Sequence, residues 1–190
     1  VPGAISQARH PLDDKLILMS RILVTPLSGI ADALDEHRPS HIVSLLSPSH
    51  MIPTPEGFDR RRHLQLGLDD VSDPRTADFP PGREHIDRLL AFSREWDMQA
   101  PFLIHCWAGI SRSMASAFTI LCDRLGPGRE IEIALAMRRR APHAQPNALL
   151  VRHADEALGR SGRMVAALEA MGPSSMAAEG IATAFPLVGL

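Results

Sequence analysis

The 190-residue chain is long enough to bury one sizeable core, and with 45% hydrophobic and 22% charged residues it reads as an ordinary globular protein. A formal charge of -2 excludes global attraction to nucleic acid or anionic membrane, so any anion must be gripped locally. Two cysteines, Cys106 and Cys122, are too few for a disulfide scaffold, and no apolar run reaches the about 18 residues of a membrane span.

Residues 1–18 show no clear period and contain a Pro11-Leu12-Asp13-Asp14-Lys15 turn, without the basic-then-apolar order of a signal peptide. Met19 is the expected natural start, residues 1–18 a leader or appended segment, and residues 19–190 one domain; a strand through Leu16-Ile17-Leu18 is the alternative. Ile22-Leu23-Val24 and Ile42 to Leu46 are short β-rich runs, as buried strands are, and Ile30 to His37 between them has the length of a short helix ended by Pro39. A loop rich in Pro and Ser leads to His63 to Leu68, whose alternation predicts a strand with one buried face. Asp69 to Gly82 is an acidic loop. Glu84 to Trp96 carries Ile86, Leu89, Leu90 and Phe92 at helical spacing.

Pro101 to Ile104 is a wholly apolar strand ending at His105-Cys106, and Ser113 to Leu125 is a buried helix stopped by Gly126-Pro127-Gly128. Helices follow at Arg129 to Arg140, Asn147 to Leu158 and Gly162 to Met171, and Phe185 to Val188 is expected to dock on the core. The pattern predicts an α/β fold: a central mixed sheet of about four to five strands, flanked by helices, with a helical C-terminal half.

Strand, Cys106, five residues, Arg112, helix: each part of this order answers a need of anion chemistry. A helix N-terminus offers unpaired N–H groups and the positive end of a dipole. Ala108 and Gly109 leave room for the amides of Trp107 to Arg112 to curl into a nest. Arg112 supplies a planar fork for two phosphate oxygens, which lysine lacks. That electropositive setting favours a reactive thiolate at Cys106. The Ser113 hydroxyl can donate to the sulfur and ease its later departure. Taken singly, Cys106 reads as a small buried residue and Arg112 as a surface charge; at this spacing the joint reading prevails.

The segment His105-Cys106-Trp107-Ala108-Gly109-Ile110-Ser111-Arg112-Ser113 resembles the signature of the dual-specificity branch of the cysteine-based protein tyrosine phosphatases, and the resemblance extends more weakly from Met19 to Leu158. It implies a phosphatase-like sheet and two-step phosphate-monoester hydrolysis through a phosphocysteine, with phosphotyrosine on protein as the expected substrate. It further implies that Cys106, Arg112, Ser113 and an aspartate general acid are catalytic, and that Trp107, Ala108, Gly109, Ile110, Ser111 and Arg112 bind substrate. Strand alternation assigns the acid to Asp70, with Asp69 and Asp73 as alternatives, on a loop longer than the family's. His105 is expected to orient the loop through backbone contacts.

A cytoplasmic enzyme without cofactor or metal is expected, because a thiolate needs a reducing compartment and the nine histidines form no zinc set. Its partner is a phosphorylated protein or another phosphate ester, with no nucleic acid and no membrane. The rival readings are a phosphatase for an inositol phosphate, phospholipid or RNA 5′ end, a phosphate-reading module without turnover, and thiol-based arsenate reduction or sulfur transfer. Relatives acting on inositol lipids tend to carry basic residues in the loop, where Trp107 and Ile110 are neutral. The chain has no tyrosine, hence no tyrosine-bearing recognition loop, which favours a shallower cleft. Asn147 reads as a brace of the phosphate loop or as an N-cap. Arg60-Arg61-Arg62 and Arg138-Arg139-Arg140 read as solvated faces or substrate-steering patches. Gln145 is a weaker candidate for positioning water. Trp107 either walls the pocket or packs beneath it. Cys122 reads as core, with a protective disulfide to Cys106 as the alternative.

Overall fold

A computed structural model describes residues 19–190; the expected leader and the Leu16-Ile17-Leu18 strand lie outside the described residues. Among the described residues, five strands form one mixed sheet in the order β3-β2-β4-β1-β5. They are β1 (Arg21–Pro26), β2 (His41–Leu46), β3 (His63–Gly67), β4 (Phe102–Cys106) and β5 (Thr183–Pro186). The first four are parallel, and β5 runs antiparallel to β1 along one edge. β2 and β4 are buried at every position. Central parallel strands covered on both faces read as continuous apolar runs for this reason.

The strands divide their side chains by parity. Ile22, Val24, Val43, Leu45, Phe102 and Ile104 enter one core, whereas Leu23, Ile42 and Leu103 enter a smaller one on the opposite face. The smaller core is covered by α1 (Ile30–His37), through Ala33 and Leu34. The larger face carries α2 (Arg83–Arg94), α3 (Arg112–Leu125), α4 (Glu130–Arg140), α5 (Ala148–Ala157) and α6 (Arg163–Met171). Helix α3 is buried at each residue from Arg112 to Cys122, so it packs on all sides. Truncating its Phe118, which is 0% exposed, to alanine would cost about 3–5 kcal/mol.

The expected mixed sheet with a helical C-terminal half is the observed architecture. The docking segment predicted near Phe185 is more than a docked tail: Thr183–Pro186 is an edge strand. Parallel register sets Pro26 and Leu45 level with Cys106. The carboxyl ends of β1, β2 and β4 therefore share one edge, where open α/β sheets bind ligands.

Two alternatives from the sequence are settled by this frame. Arg60–Arg62 precede β3, at the end of the parallel strands opposite Cys106, and so do not border its loop. Cys122 lies nine residues along α3 from Ser113, whose hydroxyl meets the Cys106 sulfur at 3.1 Å, which sets it about 13.5 Å away at 1.5 Å per residue. A disulfide tolerates Cα separations of up to about 7 Å, so no bridge to Cys106 forms. Both thiols are free, and burial pushes the Cys122 thiol pKa up, as befits an inert core residue.

Candidate active site

Strand β4 delivers Cys106 to the sheet edge, and α3 begins six residues later at Arg112. The cysteine is 1% exposed, with its Sγ 3.1 Å from the Ser113 Oγ. The intervening loop is held from outside by four backbone donors. Leu27 N–H donates to the Trp107 carbonyl (3.1 Å), Gly180 to Ala108 (2.7 Å), Gln145 to Ile110 (2.9 Å) and Asn147 to Ser111 (3.3 Å). In a planar trans peptide, N–H points opposite to C=O. Turning these carbonyls outward therefore turns the amides of Ala108, Gly109, Ser111 and Arg112 inward, as an anion nest requires.

Gly109 makes this curl feasible. Its φ is +70°, and a Cβ there would lie 2.7 Å from Pro26 N and 2.9 Å from Thr25 C. The loop is thus pressed against the end of β1 with no room for a side chain. At the start of α3, Ser111 occupies the N-cap position without capping. Its hydroxyl is used elsewhere, which leaves the first-turn amides without a side-chain acceptor.

That hydroxyl donates to Asp70 Oδ1 at 2.6 Å. Asn147 Nδ2 donates to the same oxygen at 2.9 Å and to the Val71 carbonyl at 3.1 Å. Asn147 also caps α5, its Oδ1 accepting from the amides of Leu149 and Leu150. It is therefore both N-cap and brace, although its side chain braces the aspartate loop and only its backbone touches the phosphate loop. Arg112 is buried, donates Nη1–H to the Leu68 carbonyl at 2.8 Å, and brings Nε within 3.6 Å of Asp70 Oδ2. This Nε is buried without a hydrogen-bond partner.

The three acidic candidates are separated by their partners. Asp69 closes the loop on itself: its amide donates to the Phe79 carbonyl and its Oδ2 accepts from the Phe79 amide. Asp73 caps a short turn and pairs with Arg75 at 2.7 Å. Only Asp70 of the three reaches the Cys106 loop, with Oδ1 doubly occupied and Oδ2 facing Arg112.

Behind the loop, His105 is fully buried and shares the Ser44 hydroxyl with His63 through short contacts, and His63 reaches Thr54 Oγ1 at 3.0 Å. His105 thus meets its neighbours through its ring, where the sequence suggests backbone contacts. Burial holds its pKa down to about 4, with His63 adding to the effect, so the ring is neutral at pH 7. Trp107 stands at the rim, 55% exposed, with its ring edge-on to His50 at 5.5 Å. Arg138 spends its guanidinium on the carbonyls of Pro142, Met171 and Gly172, tying down the chain after α6. Gln145 contributes a backbone amide.

Sequence reasoning passed over the Leu27 and Gly180 amides, the Leu68 carbonyl and the Ser111–Asp70 contact. The first three are main-chain groups, which any residue type supplies; Ser111 carried a signal, as a hydroxyl at a helix start. Among the described residues, no three His, Cys, Asp or Glu side chains group as metal ligands would, and no helix is long and apolar enough to cross a membrane. The assembled groups can hold a tetrahedral oxyanion over a thiol, with an arginine fork and a carboxyl at one side.

No protein-family model matches the chain, and no curated protein matches it in sequence. Its fold does match solved structures. DUSP15 aligns with a TM-score of 0.58 at 20% identity, over 84% of this chain and 96% of that one. The Yvh1 phosphatase domain from Chaetomium thermophilum gives 0.53 at 24% identity, over 75% and 93%. PTPMT1 in complex with PI(5)P gives 0.53 at 17% identity, over 76% and 96%. The chain has the fold of the dual-specificity branch of the cysteine-based tyrosine phosphatases.

Proposed function

We propose that the protein hydrolyses phosphate monoesters through a phosphocysteine intermediate, and that its substrate is phosphotyrosine on protein. The observation that carries this reading is the convergence at one loop of the Cys106 thiol, four inward-turned amides, an Arg112 Nε that makes no hydrogen bond and the Asp70 carboxyl that faces it.

In the first step the Cys106 thiolate attacks phosphorus, forming P–S as P–O breaks. The amides and Arg112 hold the equatorial oxygens, where charge develops. Asp70 Oδ2, the oxygen not engaged by Ser111 and Asn147, hands its proton to the leaving oxygen. In the second step water attacks phosphorus, Asp70 takes its proton, and P–S breaks to release inorganic phosphate. The Ser113 hydroxyl, 3.1 Å from Sγ, stabilises the departing thiolate. Such a thiolate needs a reducing compartment, so the proposed place of action is the cytoplasm.

PTPMT1, one of the structures of like fold, is seen in complex with PI(5)P, so a lipid phosphate is the alternative substrate. The neutral side chains of Trp107 and Ile110 in the loop favour the protein substrate, since a headgroup with several phosphates calls for more cations. Parallel assays with a generic aryl phosphate, phosphotyrosine and phosphoserine peptides and PI(5)P test both parts. The expected order is aryl phosphate and phosphotyrosine peptide well above PI(5)P. Turnover of PI(5)P alone would replace the substrate, and turnover of none would overturn the enzyme.

A further inference from the structure

Two segments far apart in the chain hold consecutive carbonyls of the phosphate loop. Leu27 N–H donates to the Trp107 carbonyl at 3.1 Å, and Gly180 N–H to the Ala108 carbonyl at 2.7 Å. Each carbonyl, turned outward, sends the amide of the next residue inward, Ala108 in the first case and Gly109 in the second. The neighbours of the two donors also meet. The Ser28 hydroxyl donates to Glu179 Oε1 at 2.6 Å, across 151 positions. One side-chain hydrogen bond thus ties together the two stretches of main chain that orient half of the anion nest.

The two stretches are not held equally by the rest of the fold. Leu27 and Ser28 follow directly on β1, whose register with β4 sets them beside Cys106. Gly180 lies within residues 172–182, which belong to no helix or strand. Ser175 N–H fastens this stretch to the Pro142 carbonyl at 2.8 Å, and pairing with β1 begins at Thr183. Between those anchors residues 176–179 and 181–182 are exposed, and Gly180 alone is buried. A Cβ there would meet the His143 ring at 2.8 Å and the Gly109 carbonyl at 3.0 Å. The Gly180 backbone lies outside the left-handed region, so the glycine answers this close approach and not a turn.

We infer that Ser28 and Glu179 are positioning residues for the reaction: their hydrogen bond keeps the Leu27 and Gly180 donors on the loop and so aims the Ala108 and Gly109 amides at the oxyanion. This rests on the phosphatase reading above and deepens it, placing part of the oxyanion grip in a contact that touches no substrate. Charge develops on the oxygens these amides face, so a misaimed amide weakens the transition state more than the bound substrate.

Glu179→Ala, Glu179→Gln and Ser28→Ala, all at exposed positions, test the contact. The readouts are kcat and KM for an aryl phosphate and, without turnover, calorimetric affinity for vanadate, which takes up the five-coordinate geometry of the transition state. Glu179→Ala and Ser28→Ala should each lower kcat and vanadate affinity by about two- to tenfold, with KM nearly unchanged. The double alanine variant should be no worse than either single one. Glu179→Gln retains the accepting oxygen and should stay within about twofold of wild type. Gly180→Ala, which forces the strap off the loop, should cost about a hundredfold in kcat. Wild-type kcat and vanadate affinity in Glu179→Ala, an equal loss in Glu179→Gln, a loss confined to KM, or a wild-type chain that binds no vanadate would overturn the inference. Vanadate affinities in the expected order, in a chain that hydrolyses no aryl phosphate, would leave the positioning contact standing and remove the phosphatase.

Discussion

Replacing Asp70 with asparagine isolates one proton. The amide oxygen of asparagine can accept from Ser111 and Asn147 as Oδ1 does now, at 2.6 and 2.9 Å, so the loop should keep its seat. What changes is Oδ2, 3.6 Å from Arg112 Nε, which becomes an NH2 group unable to protonate a leaving group. General acid catalysis of this kind contributes about 10²- to 10⁴-fold, equivalent to about 2.7–5.4 kcal/mol of barrier. The assay is kcat/KM for a series of aryl phosphates whose phenols range from acidic to weakly acidic. The loss should be largest for the most basic phenoxide and shrink toward unity for the most activated one. Thermal unfolding reports separately on the loss of the charge that faces the buried Arg112. Asp69→Asn and Asp73→Asn, whose carboxylates serve Phe79 and Arg75, should show no leaving-group dependence. A loss of equal size across the series, or one shared by Asp69→Asn, would refute the assignment.

Ser113→Ala removes the hydroxyl 3.1 Å from Sγ. A hydrogen bond to a charged group is worth about 1.5–3 kcal/mol, so breakdown of the phosphocysteine should slow by about 10- to 150-fold, with a phenol burst in rapid-quench traces. Gly109→Ala should lower stability by at least about 2 kcal/mol, some 4–8 °C in Tm, given its positive φ and the Pro26 and Thr25 backbone in the way of a Cβ. A variant as stable as wild type would contradict that close approach. The neutral, buried His105, at about 4, binds no proton where the unfolded chain, at about 6.5, does. Its stabilising effect is complete above pH 6.5 and declines as pH falls toward 4, by about 3 kcal/mol in total, and the likewise lowered His63 adds in the same direction. Urea titrations between pH 4 and 7 measure this, and a flat profile would count against the buried His105–Ser44–His63 chain.

The parts of the fold that could be read from sequence are those whose signal is local. Ile42 to Leu46 is buried at every position because both faces of the sheet are covered, and a continuous apolar run records that. Thr183–Pro186 carries no such record: it is four residues long, and only its partner, more than 150 residues earlier, makes it a strand. The same division runs through the site. Cys106, Arg112 and Ser113 stand in one short segment, where spacing alone expresses their relation. Asp69, Asp70 and Asp73 are chemically alike in sequence, and the choice among them is made by backbone direction, which turns Asp69 to Phe79 and Asp73 to Arg75. Asn147 was legible as a cap because capping is local; its reach to Asp70, across 77 positions, was not. The Gly180 amide is the extreme case, a main-chain donor from the far end of the chain.

The central claim is that phosphate passes through the sulfur of Cys106. Acid quenching of the wild-type protein during turnover of an aryl phosphate, followed by mass analysis of the Cys106 peptide, tests it most directly. The account predicts one phosphoryl group on that peptide, absent in Cys106→Ser, which should also lose turnover. A Cys106→Ser protein that hydrolyses the ester at the wild-type rate would contradict it.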